Sequence, residues 1–250
     1  MKFKTNGLVI KEQSIGEQDK LVTVLSDSHG IIRAFVRRAK NIKSPKCAST
    51  GLLCYSKLSV FENKGTYTID ESESIEMFIG LRKNIRNMSL AQYFCELSLS
   101  LCPKESDAKD FLRLVLNALH LLSNEKKDAL LIKACVEMRM LMYAGYMPDL
   151  IMCENCGVYE SEEMMFIPKT GKLFCHNCAQ NNGARGIYAP LSVITALRHT
   201  IYVDFEKLFS FALSDDSLRL LNTITENYLS SITEKDFLTL QFFKMMDENP

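Results

Sequence analysis

Two paired cysteine motifs constrain this chain more than any other feature. They are Cys153-Glu154-Asn155-Cys156 and Cys175-His176-Asn177-Cys178, with 18 residues between the second and third cysteines. That spacing falls within the range of four-cysteine zinc ribbons. Each CxxC turn presents two thiolates to one edge of an ion, and the intervening hairpin folds the second pair back to complete a tetrahedron. Gly157 and Gly171 sit where a tight turn and a hairpin tip are needed. The competing reading is two redox or merely structural CxxC pairs. Spacing and a reducing setting favour one zinc ion on Cys153, Cys156, Cys175 and Cys178. Four thiolates close the coordination shell, which predicts a structural ion; a catalytic site keeps a position open for water. A zinc deaminase would carry H-x-E ahead of P-C-x-x-C. Here neither CxxC follows a proline and none of the four histidines begins H-x-E. His176 reads as a surface residue of the module. Glu154, Glu160, Glu162 and Glu163 outnumber Lys169 and Lys172 across the module, which favours scaffolding or protein contact over phosphate tracking.

The remaining cysteines fit a cytosolic chain. The total is nine, an odd count, and the start offers only Leu8-Val9-Ile10 before Lys11 and Glu12, too short for a secretory apolar region. No apolar run approaches the roughly 18 residues of a membrane span. Cys47, Cys54, Cys95, Cys102 and Cys135 sit among apolar residues or at segment ends and are expected as small core residues. The methionines at helical spacing, Met138, Met140, Met142 and Met147 among them, read as core filler.

Residues 1–80 alternate in short runs punctuated by turn residues, which predicts strands at 5–12, 20–26, 31–37, 52–62 and 66–70. Leu52, Cys54, Ser56, Leu58 and Val60 share one face of the fourth, with Lys57 and Ser59 opposite. Five short strands predict a small barrel or sandwich. The acids Asp70, Glu71, Glu73 and Glu76 read as a solvated turn; no second acidic motif pairs with them to hold two metals. From about residue 80 the period becomes helical. Ser89 with Gln92 resembles a capping box, and helices are expected to end before Pro103, at about 107–122, and at about 126–144 before Gly145 and Pro148. Beyond the module, helices are expected at 191–201, 204–213, 215–231 and 234–246. The expected organisation is α+β and multidomain: a barrel at 1–80, a helical domain at 81–152 and 184–250, and the zinc module inserted at 153–183.

Charge sharpens this division. The chain holds 30 basic and 30 acidic residues, yet residues 1–80 carry 12 and 9 while 153–250 carry 8 and 13. The neutral total is a cancellation, and the asymmetry points to an anionic partner for the first part. Arg33, Arg37, Arg38, Lys40, Lys43 and Lys46 form an acid-free run that starts on a strand and continues into a loop around Ser44-Pro45. Six such contacts to a single strand predict a salt slope near about −4. The plainer reading is a charged strand edge that blocks aggregation, and Phe35, within the run, reads as core. On a five-stranded barrel, a basic strand and loop is the arrangement expected of an OB-fold that binds nucleic acid. No G-x-x-x-x-G-K-[ST] loop is present, which disfavours an ATPase of that type.

The order of parts resembles the bacterial recombination mediator family RecO over essentially the whole length. Gly7-Leu8-Val9-Ile10, then Gly16-Glu17-Gln18-Asp19-Lys20-Leu21-Val22-Thr23-Val24-Leu25 and His29-Gly30, look like its opening. Ala39-Lys40 to Lys46 matches its basic loop. Tyr143 to Leu150 ahead of the first CxxC is similar to its L-x-x-x-G-Y-x-P-x-L lead. Phe166 to Cys175 resembles its F-x-P-x-x-G-G-x-x-C, with Lys172 in place of the second glycine. The resemblance implies an N-terminal OB-fold, a helical domain carrying a zinc module, and no enzymatic site. It implies binding of single- and double-stranded DNA, annealing of complementary strands, and action with RecR to load RecA onto DNA covered by single-stranded DNA-binding protein. It also implies contact with the C-terminal tail of that binding protein, and a cytoplasmic, nucleoid-associated setting. By similarity the phosphate contacts are Arg33, Arg37, Arg38, Lys40, Lys43 and Lys46. The competing class is an RNA-binding or protein-interaction adaptor on the same two modules; a zinc hydrolase or deaminase is a third.

Overall fold

The computed structural model describes residues 1–41, 43–183 and 185–248. Five strands, β1 (Lys2–Ile15), β2 (Asp19–Ser26), β3 (Gly30–Val36), β4 (Tyr55–Asn63) and β5 (Thr66–Glu76), close into a barrel in the order β1-β2-β3-β5-β4. Every pairing is antiparallel except β3 with β5, where Ala34 meets Tyr67 and Phe35 meets Thr68. That single parallel seam requires a crossover, and residues 37–54 supply it with the short helix α1 (Pro45–Ser49). Proline suits the first helical turn because its missing N–H has no partner there anyway. The expected open loop around Ser44-Pro45 is therefore partly helical, and Lys46 lies in that helix. The tip between β4 and β5 is the two-residue loop Lys64-Gly65, with φ of 49° and 75°. Two left-handed residues match the right-handed twist of the flanking strands.

The barrel interior follows from alternation. Val9, Val22, Val24, Ile32, Ala34, Val36, Leu58, Val60 and Ile69 form one buried cluster, each large aliphatic side chain contributing about 1.5–3 kcal/mol. Ser59 departs from the expected outward face and is only 5% exposed, where the β4–β5 register shifts between Ser59 and Val60. The acids from Asp70 to Glu76 also differ from expectation. They continue β5 as an exposed strand rather than forming a turn.

The chain divides into two compact units, one of residues Met1–Asn124 with the segment from Phe237 onward, the other Glu125–Asp236. In the first, α2 (Ile85–Leu101) and α3 (Lys109–Ser123) follow the barrel and α8 (Leu238–Glu248) joins them. The start of α2 is capped by Asn84, whose side chain accepts from the Asn87 N–H. Ser89 is not the cap; it lies inside the helix and donates to the Arg86 carbonyl. Glu96 accepts from the Thr239 N–H and hydroxyl, so the first turn of α8 is capped by a residue of α2.

The second unit packs α4 (Ala129–Tyr143), α6 (Leu191–Tyr202) and α7 (Asp215–Thr233) with a four-stranded sheet. Asp128 caps α4 through the Leu130 N–H at 2.7 Å. Ser214 caps α7, with Asp215 and Asp216 in its first turn where the helix dipole favours acids. The helix expected at 204–213 is absent: Phe205–Lys207 make one 3₁₀ turn and the chain runs irregularly to Ser214. Of residues 204–214 only Leu208 is buried, so packing supplies too little to offset helix nucleation.

Candidate metal centre and nucleic-acid interface

The sheet of the second unit positions the cysteines. Its strands β6 (Asp149–Cys153), β7 (Glu163–Ile167), β8 (Lys172–Cys175) and β9 (Ile187–Pro190) run in the order β6-β8-β7-β9. Cys153 ends β6, Cys175 ends β8, Cys156 sits in the turn after β6, and Cys178 lies in α5 (His176–Asn182). Parallel pairing of β6 with β8 brings both strand ends, and hence both CxxC turns, to one place. The four sulfurs all lie within 4.8 Å of one another, and Cys156 and Cys175 are 3.7 Å apart. Tetrahedral Zn–S bonds of about 2.3 Å put sulfurs about 3.8 Å apart, so the donor set fits a metal ion of that kind.

Proton chemistry agrees with that fit. Burial pushes the Cys153 thiol up, but N–H groups of Cys156, Cys175 and Asn155 outweigh it and bring it down to about 6. The Asn155 amide, donating to the Cys178 sulfur at 3.4 Å, draws Cys178 down, yet the neighbouring sulfurs of Cys175, Cys156 and Cys153 carry it up to about 12. One thiolate forms readily; a full set needs a cation. Donors such as Asn155 also fix ligand orientation.

The surroundings hold the module still. Gly171 has φ of 69°, and a Cβ there would come within 3.1 Å of the Tyr228 ring. The hairpin tip thus needs glycine at this position. Lys172, where the family pattern has glycine, instead pairs with Glu154 across the knuckle. His176 is half-buried on the module surface, with Nδ1 3.0 Å from Glu163 and Nε2 2.8 Å from Gln180. The strongest tether was not read from sequence. Arg198 of α6 donates to the carbonyls of Leu150, Ile151 and Tyr159 at 2.7, 3.1 and 2.6 Å and lies over the Tyr159 ring.

On the barrel, β3 alternates Ile32, Ala34 and Val36 inward with Arg33 and Phe35 outward, and Arg37, just past its end, is exposed. Phe35 is 39% exposed, so its expected place in the core is corrected. Arg38 is exposed, with φ of 55° and its N–H bonded to Asp19 at 2.8 Å. Lys43 is exposed as well. Lys40 serves the barrel itself: its ammonium donates to the Gly16 carbonyl at 2.7 Å, tying the crossover to the β1–β2 loop. Lys46 is half-buried on α1, and its charge helps hold Asp70 below the usual carboxylate range, after the larger influence of Lys2 at 2.9 Å. Of the six cations, Arg33, Arg37, Arg38 and Lys43 are exposed on β3 or in the segment that follows it. Sequence reasoning passed over Lys64 and Phe61, which join Arg37, Asn63, Thr66, Thr68 and Asp70 around an open groove of about 650 Å³.

These features define a class: an OB-fold protein whose helical region carries a tetrathiolate module able to hold a metal. Comparison with known proteins narrows it. A family profile described as Recombination protein O N terminal matches residues 1–78, and one described as Recombination protein O C terminal matches residues 82–240. The chain belongs to the RecO family. It is 33% identical over 248 residues to the DNA repair protein RecO of Acetivibrio thermocellus, covering 98% of this chain and 97% of that protein. It is 27% identical over 244 residues to the protein of that name from Caldicellulosiruptor bescii, with 98% of each covered. For the Clostridium novyi protein the values are 26% over 245 residues, with 98% and 94% covered.

Proposed function

We propose that this chain is a non-enzymatic DNA repair and recombination mediator of the bacterial cytoplasm. It binds single- and double-stranded DNA, anneals complementary strands, and with RecR helps load RecA onto DNA coated by single-stranded DNA-binding protein, whose C-terminal tail it contacts. The observation that carries the reading is the set of exposed cations Arg33, Arg37, Arg38 and Lys43 on and beside the outer face of β3. Strands and loops of this part of an OB-fold are its usual oligonucleotide face. The whole-length likeness to proteins named for DNA repair supports the same reading. Annealing follows from electrostatics: cations that neutralise both backbones lower the repulsion between strands that are about to pair.

Cys153, Cys156, Cys175 and Cys178 would hold one structural zinc ion, which supplies folding energy to the module on the order of 10 kcal/mol in isolated zinc modules. The protein part of that task is orientation: Asn155 braces Cys178, and Arg198 fastens the strand that carries Cys153.

Titration of a labelled single strand across a salt series tests the interface. With four open cations the slope is about −3, shallower than six would give. Charge reversal at Arg33 and Arg37 should weaken binding sharply and flatten the slope by about two contacts. Unchanged affinity and slope would remove the basis of the proposal, and tight RNA binding without strand annealing would favour an adaptor.

A further inference from the structure

Strand register places two bare aromatic rings on the cationic side of the barrel. Thr68 of β5 pairs with Phe35 of β3 on one side and with Phe61 of β4 on the other. Phe35, Thr68 and Phe61 thus form one transverse row, and beyond Phe61 the row continues to Lys2 of β1. Phe35 is 39% exposed and Phe61 47% exposed, although interior positions of the same strands, Ala34, Val36 and Val60, are fully buried. Two strand spacings separate the rings by about 10 Å. Aromatic contacts need centroids within about 4.5–7 Å, so the two rings do not stack on each other, and each remains partly exposed to solvent.

Their setting is cationic. Arg33 precedes Phe35 by two residues on β3, Arg37 follows it by two just past the strand end, and Lys64 stands at the loop beyond Phe61. Among the described residues the acid lining the groove is Asp70, which is engaged by Lys2 at 2.9 Å. Thr68, half-buried between the rings, offers a hydroxyl at the groove floor that can donate or accept. An apolar face framed by cations matches a ligand that carries phosphates along one edge and flat π-surfaces along the other. That is an unpaired polynucleotide strand; in a duplex the base faces are hidden in the stack. Arg and Lys alone would hold either form.

We infer that Phe35 and Phe61 are stacking platforms for two separate bases of a single strand, with Thr68 between them. The inference rests on the nucleic-acid reading given above and adds the element that distinguishes single strands from duplexes. Stacking on aromatic side chains tolerates any base, since every base has a π-face.

The test uses the full chain, a labelled 20-nucleotide oligothymidylate, the same strand with abasic sites throughout, and a 20-base-pair duplex. Each Phe→Ala substitution should weaken oligothymidylate binding about 5- to 150-fold, the range of one lost stacking contact. The salt slope should not change, because no cation is removed, and duplex affinity should shift less than about twofold. The wild-type protein should prefer oligothymidylate to the abasic strand, and Phe35→Ala/Phe61→Ala should bind the two alike. Phe35→Tyr/Phe61→Tyr should keep the preference; if the alanine pair lowers the urea midpoint, Phe35→Leu/Phe61→Leu, which retains apolar bulk without a π-face, decides in its place. Equal loss on duplex and single strand, or an alanine pair that binds and discriminates like wild type, overturns the inference. If charge reversal at Arg33 and Arg37 abolishes binding while the phenylalanine variants do not alter it, the stacking inference alone fails. If charge reversal has no effect either, the nucleic-acid reading fails with it.

Discussion

Replacing Lys133 by methionine should open the second unit far more than its shape change warrants. Lys133 is fully buried, as is Glu137 one turn along α4; its ammonium lies 2.8 Å from Glu137 and 2.8 Å from Glu226 of α7. It also donates to Asn222 at 3.2 Å, while Thr225 donates to Glu137 at 2.6 Å. Methionine fills nearly the same volume, so the cavity contribution is small. What remains is a buried carboxylate that has lost the Lys133 ammonium, and removing one partner of a buried pair costs about 3–5 kcal/mol. Hydrogen exchange of the α4 amides reads this unit by itself. A loss of that size accelerates their exchange roughly 150- to 4000-fold, provided exchange follows the opening equilibrium. Glu226, at 19% side-chain exposure, can reach water, whereas Glu137 cannot. Adding Glu137→Gln, which leaves Thr225 an acceptor, should therefore recover more than half of the loss. Acceleration below about tenfold for Lys133→Met, or a double variant as open as the sum of the singles, would refute the account of a coupled buried charge pair.

Arg198→Ala frees three carbonyls of the metal module at once, so release of zinc to a chelator should accelerate at least tenfold; Arg198→Lys should not restore the wild-type rate, because an ammonium lacks the planar fork that spans Leu150, Ile151 and Tyr159. Cys175→Ser should abolish stoichiometric zinc, measured by metal analysis, while barrel-dependent DNA binding falls less than about threefold, since the cations stand on the other compact unit. The metal-free module should also carry a pH signature. Cys153, depressed to about 6, contributes stability that is fully present above the ordinary thiol range and is lost as pH falls through about 6. At about pH 7.5 Cys153 is already ionised while Cys156 and Cys178, both raised, keep their protons. Zinc loading should then expel at least two protons per ion, and uptake without proton release would contradict four-thiolate ligation.

What could be read from the sequence was what depends on neighbours in the chain. The CxxC spacing works because each pair closes a local turn, and the barrel strands show because one buried face imposes a period of two. The failures share the opposite cause. Ser89 looked like a cap on local pattern, but Asn84 holds the first turn of α2, and the start of α8 is capped by Glu96, 143 residues away. On helical period, Lys133 and Glu137 share a face of α4 apart from the apolar stripe through Leu131, Ala134, Cys135, Met138, Leu141 and Met142. Packing against α7 buries that face too, and the pair is tolerated there because each charge meets the other. Phe35 reversed in the other sense. An aromatic between arginines on a strand of period two must share their side of the sheet, so once Arg33 and Arg37 are accepted as outward, Phe35 has to be outward as well. The period of two along the strand therefore outweighs the general preference of phenylalanine for burial. Charge and ring on β3 are consequences of one register, and a slip by one residue would bury two guanidiniums to hide one phenyl. Burying unpaired cations costs far more than leaving one ring exposed, so the cationic surface itself fixes the exposed position of Phe35.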